Sequence, residues 1–213
     1  ERAGMETVAF CEIDPFCRKV LKKHWPNVPI YEDIKTLRGD EVGSVDVVCG
    51  GFPCQPFSSA KHGIKSNIGD FSYDLARIIK ACHPKYAIAE NVSKKAVKRV
   101  GNAIRDFGYG TCYLRKSAHE FGLWHRRYRW FLIAYPNDEG EFQSRFYAKM
   151  AMLSSVVDNI WQGFHYARAV RVSNGVSNRV DRLKCLGNAV VPQIVEIIGG
   201  AIMAVEAEQA RRC

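Results

Sequence analysis

Short apolar runs alternate with segments of helical period along residues 1–135, and this alternation restricts the architectures open to the chain. TVAFCEID (7–14), VDVVCG (45–50) and YAIAEN (86–91) are brief, rich in β-branched or aromatic residues and bounded by polar turns, the pattern of buried strands. Between them, Asp14 and Pro15 supply a helix N-cap and a first-turn proline; Phe16, Val20 and Leu21 then recur at helical spacing with Arg18, Lys19, Lys22 and Lys23 outside. Residues 74–82 put Leu75, Ile78 and Ile79 on one helical face, and 97–107 do the same with Val97, Val100, Ala103, Ile104 and Phe107. Two further runs, 109–115 and 128–135, read as strands. Buried parallel strands joined by crossover helices form a doubly wound α/β sheet, whose ligands lie beyond the carboxyl ends of the strands.

The pattern breaks at Pro136-Asn137-Asp138-Glu139-Gly140 and is expected to stay irregular to about Arg182, an insertion in the core. It resumes in an apolar helix over 192–205. The expected organisation is a catalytic core over 1–135, an insertion over 136–182, and a segment over 183–213 that returns to the core. A length of 213 residues suits one domain with a modest appendage. The net charge of +9 favours a polyanionic partner, nucleic acid above all, although a basic balance can also serve solubility alone. The eight cysteines show neither a CxxC pair nor zinc-finger spacing, so no metal site is expected; they read as small buried hydrophobes of a reducing cytosol. Without a signal-peptide pattern or a membrane-length apolar stretch, a cytoplasmic location and no membrane partner are expected.

Chemistry concentrates at three strand ends. In GGFPCQPFS (50–58) the glycines and prolines present Cys54 on a rigid loop after a strand. Arg127 and Arg129 are candidate neighbours that would favour its thiolate; the bland reading is a structural loop cysteine. Glu90 ends YAIAE in a partly apolar setting that raises a carboxyl pKa, so it can hold a proton; a carboxylate there can otherwise cap a helix. Arg127 and Arg129 alternate along a strand and share a face opposite Tyr128 and Trp130. Two such cations converge on one ligand, or serve phosphates.

The ordered series GGFPCQPFS, AENV (89–92), HRRYR (125–129) and LGNAVVPQ (186–193) resembles the motifs of DNA (cytosine-5)-methyltransferases of bacterial and phage type. The resemblance implies a Rossmann-like methyltransferase sheet that uses S-adenosylmethionine, releases S-adenosylhomocysteine, and carries a small target-recognition region in the 136–182 insertion. It implies that Cys54 adds to C6 of a flipped-out cytosine in double-stranded DNA, that Pro53 shapes the cytosine and cofactor pocket, and that Glu90 donates to N3. Arg129 would contact the cytosine O2 with Arg127 supporting it, and Asn91 would border the substrate and order the loop. Glu12 and Ile13 would meet the cofactor ribose, Asp33 and Ile34 its adenine, and Asn188, Ala189 and Val190 its methionine moiety. Trp161, Phe164, His165, Tyr166, Arg168 and Arg171 give the insertion aromatic and basic groups, with no base code legible in them. A transfer-RNA cytosine methyltransferase and an inactive DNA-binding remnant are the rival readings; the lead-in GGF before PCQP favours DNA.

The family opens with a strand and a glycine-rich, phenylalanine-containing loop, whereas this sequence begins at ERAGM. The expectation is a sheet missing its central strand, with two edges exposed, completed by a longer chain or by a second one.

Overall fold

β1 (Phe10–Cys11) and β2 (Ile30–Tyr31) pair in parallel as a small sheet, linked by α1 (Pro15–His24). The computed structural model describes residues 1–53, 71–121, 123, 126–137, 140–161, 181, 185 and 187–212. Asp14 caps α1: its side chain accepts from the Phe16 and Cys17 amides at 2.9 and 3.3 Å, satisfying donors the first turn cannot. The apolar stripe of α1 is not buried, and Val20 is 42% exposed. After a short α2 (Gly39–Val42) come β3 (Val47–Gly51), α3 (Phe71–Cys82), β4 (Tyr86–Asn91) and α4 (Lys94–Ile104). β5 (Tyr109–Ser117), β6 (Tyr128–Pro136), α5 (Glu141–Trp161) and α6 (Pro192–Ala210) complete the order.

The second sheet runs β3-β4-β6-β5. β3 and β4 are parallel, as expected of strands joined by a crossover helix, but β6 is antiparallel to both β4 and β5, so the sheet is mixed. The reason is length. A parallel return needs a crossover of a dozen or more residues, whereas the link 118–127 is ten residues long and its described part opens with a 3₁₀ turn, Ala118–Phe121. The reversal brings the start of β6 to the edge where β3 and β4 end.

Each face of this sheet is covered. Leu75 and Ile79 of α3 and Val97, Val100 and Ile104 of α4 bury one face against Ala87, Ala89, Leu132 and Ala134. On the other, Ile88, Leu114, Phe131 and Ile133 pack against α5 and α6. α5 overturns the expectation that 136–182 is irregular: Phe142, Phe146 and Met150, spaced at i, i+4 and i+8, are all buried. The core therefore continues into α5 as far as Met150, and residues 162–180, with most of the candidate recognition side chains, lie outside the described residues. The cysteines also depart from expectation. Of those described only Cys112 is buried, while Cys11 and Cys49 are exposed. Among the described residues no helix is long and apolar enough to cross a membrane, and no group of three or more His, Cys, Asp or Glu side chains could hold a metal.

Candidate active site

Three strand ends meet at one edge. β3 ends at Gly51, which lies opposite Glu90 in the parallel ladder, and Glu90 in turn lies opposite Phe131 of β6. Gly51 makes room for the carboxylate, because a Cβ there would stand 3.0 Å from Glu90 Oε2. Arg129 Nε donates to Glu90 Oε1 at 2.8 Å, with both side chains about 15% exposed (15% and 14%), and Arg129 Nη1 reaches the Tyr128 carbonyl at 2.8 Å. Burial pushes the Glu90 carboxyl above its ordinary range, against the pull of Arg129 and Arg127. A Glu90 side chain with a raised pKa beside a fixed cation can give up a proton to an acceptor that gains charge. Replacing Gly51 by alanine is expected to displace this carboxylate and lower turnover by about tenfold or more while changing the melting temperature little, since the displaced group is a side-chain tip. Thermal unfolding and initial-rate assays on the same preparation check both halves.

Asn91, the last residue of β4, is buried. Its Nδ2 donates to the Phe52 carbonyl at 2.9 Å and its Oδ1 accepts from the Ser93 amide at 3.0 Å. Both ends of the amide serve the protein, so Asn91 fixes the backbone that leads into Pro53. Pro53 is exposed, and Cys54 lies outside the described residues.

Arg127 shares the face of Arg129 but turns to another element. Its Nη2 donates to the carbonyls of Gly187 and Ala189 at 2.6 and 2.7 Å, sixty residues on. Its Nε is buried without a partner. Desolvation first, and the charge of Arg129 second, lower its pKa, with Glu90 opposing them. Asn188 and Ala189 are exposed and Val190 is half-buried against the α5–α6 core. The same segment also approaches α1, where Cys185 neighbours Cys17; desolvation first, then Cys185 and the nearby Glu12 and Asp14 carboxylates, push the Cys17 thiol up to about 12.

The residues expected at the cofactor lie after the carboxyl ends of β1 and β2. Glu12 Oε1 accepts from the Asp14 amide at 2.8 Å, and Arg18 Nη1 holds the turn through the Glu12 and Ile13 carbonyls at 3.1 and 2.9 Å. Ile13 is 64% exposed. Asp33 Oδ1 accepts from the Lys35 amide at 2.9 Å, and Arg77 of α3 ties down the Ile34 and Leu37 carbonyls. Sequence reasoning passed over Gly51, Arg18 and Arg77. The GG pair hinted at Gly51, but nothing local marks the two arginines.

The family model described as C-5 cytosine-specific DNA methylase matches residues 1–174. The Type II methyltransferase M2.BsuMI of Bacillus subtilis (strain 168) is 32% identical over an alignment of 202 positions that covers 86% of this chain and 51% of that protein. M.NgoBV of Neisseria gonorrhoeae, also a Type II methyltransferase, is 32% identical over 148 residues, 62% of this chain and 35% of its own. The chain thus spans about half or less of the length of these relatives. The S. pombe Dnmt2 methyltransferase structure shares the fold with a TM-score of 0.51 at 24% identity, over 64% of this chain and 45% of that one.

Proposed function

Because the chain belongs to the C-5 cytosine-specific DNA methylase family, we propose that it methylates C5 of cytosine in double-stranded DNA, as a modification enzyme of a restriction system or as an orphan or phage methylase. The observation that carries this reading is the Glu90–Arg129 pair beside the end of β3, three residues before Cys54.

The Cys54 thiolate adds to C6 of the flipped-out cytosine, and the electron pair of the C5–C6 bond moves into the ring towards N3 and C5. Glu90 places a proton at N3 as charge develops there. Arg129 holds Glu90 in position and donates to O2. Bound S-adenosylmethionine supplies the methyl group to C5. A base takes the C5 proton, the electron pair of that C–H bond forms the C5–C6 double bond as the Cys54 thiolate leaves C6, and N3 returns its proton to Glu90, which restores the aromatic ring. Pro53 shapes the pocket, and Asn91 holds its rim through Phe52.

The residues present fit the cofactor. Two carboxylates, Glu12 and Asp33, follow adjacent parallel strands, where they can accept from ribose hydroxyls and the adenine amino group. The exposed Ile13 and half-buried Ile34 offer apolar surface beside them. Asn188, Ala189 and Val190 would close the methionine side. Residues 1–135 and 183–213 form the catalytic part of this proposal, and the remainder of 136–182 beyond α5 reads the target.

The test is incubation with methyl-labelled S-adenosylmethionine and either duplex DNA or transfer RNA. Label in 5-methylcytosine of the DNA is expected. Label in the RNA alone would move the substrate class, and label in neither would leave a DNA-binding remnant.

A further inference from the structure

We propose that Arg127 is a positioning residue that clamps the 187–189 segment onto β6, so that cofactor enclosure and the cytosine-facing pair are built as one unit. The inference rests on the cofactor and cytosine sites assigned above. Both hydrogen bonds leave a single nitrogen, Nη2, and end on carbonyls that flank Asn188. The donor is charged and partly desolvated, conditions under which such bonds are strongest.

The segment lies between two elements. Cys185 neighbours Cys17 of α1, the helix that follows Glu12 and Ile13, and the Ala189 amide closes a turn on the Cys185 carbonyl at 2.8 Å. Arg127 meets the opposite side from the strand that also carries Arg129. The segment therefore spans from the cofactor carboxylates to the Glu90–Arg129 pair. With Nη2 committed to the Gly187 and Ala189 carbonyls, Arg127 acts on the cytosine site through the backbone it shares with Arg129.

Arg127→Ala, Arg127→Lys and Arg129→Ala separate this role from direct substrate contact. In hydrogen exchange on the ligand-free chain, Arg127→Ala is expected to speed exchange of the Ala189 amide about tenfold or more, the scale set by losing two charge-assisted bonds. In calorimetry with S-adenosylhomocysteine it should weaken binding by a similar factor. Arg127→Lys, which keeps a cationic donor of different reach, should fall between, whereas Arg129→Ala should change neither reading. If the alanine variant does not fold, the lysine variant carries the exchange comparison. Wild-type exchange at Ala189 in a folded Arg127 variant would overturn the proposal, whatever happens to methylation. If the wild-type chain binds no S-adenosylhomocysteine, the cofactor assignment fails while exchange still decides whether the clamp exists.

Discussion

Cys54→Ala is expected to abolish the covalent complex with duplex DNA containing 5-fluorocytosine and to lower methylation by on the order of 10⁴-fold or more, the scale of losing a covalent nucleophile. The adduct forms because the reaction normally ends by releasing a proton from C5 before the sulfur can leave. Fluorine cannot depart as a cation, so the chain stays bonded to C6. Denaturing electrophoresis detects the adduct, and peptide mapping locates it. An adduct on another cysteine would overturn the assignment. Cys112 is a poor rival, since burial pushes its thiol up to about 12 and leaves little thiolate. Serine at position 54 should be nearly as inactive as alanine, because an alcohol at neutral pH is a far weaker nucleophile than a thiolate.

Glu90→Gln should lower the methylation rate by about 10²–10⁴-fold, the usual contribution of a positioned acid, with DNA affinity reduced far less. The amide keeps the shape and can still hydrogen-bond, but it has no acid proton for N3. An equal loss of binding and rate would mark Glu90 as structural. The pH dependence has a defined sign. Burial raises the Glu90 pKa above its ordinary value, so the acid form persists to higher pH than in a free glutamate, and wild-type turnover should fall as pH rises through that raised value. By linkage, the proton bound by the folded state adds stability that is fully present below the ordinary carboxyl pKa and is lost as pH rises through the raised one. Both dependences should be absent from Glu90→Gln, which rate profiles and thermal unfolding across that window would show.

The parts of this fold that were legible in the sequence are those set by neighbouring residues. YAIAEN reads as a strand because its first four residues, Tyr86 to Ala89, suit burial on both sides, and β4 has those bounds. Asp14-Pro15 places the start of α1 to the residue. Strand direction is not written in such runs. Tyr128–Pro136 carries the same apolar signature whichever way it points, and only the short link from Ser117 fixes it as antiparallel. α5 is hard to read because the exposed Tyr147 and Met152 blur the contrast between its buried stripe and its other face, and because a turn-forming Pro-Asn-Asp-Glu-Gly precedes it. The site divides similarly. The face shared by Arg127 and Arg129 follows from the period of two, but the partners they find do not. Arg129 reaches Glu90 and Arg127 reaches carbonyls beyond residue 186, pairings made by three-dimensional approach across long separations.

The reversed β6 also governs how such a chain can tolerate insertions and deletions. Arg129 and the core residues Phe131 and Ile133 lie on one face because each is two steps from the next. Adding or deleting one residue between Arg129 and Phe131 would turn the arginine toward α4 and leave Glu90 facing an empty position, although the composition had hardly changed. Upstream, the described residues that follow the 3₁₀ turn ending at Phe121, Leu123 and Arg126, belong to no strand, and a length change there need not disturb the β5–β6 register. Natural variation in length should therefore collect before the arginine pair and be excluded after it.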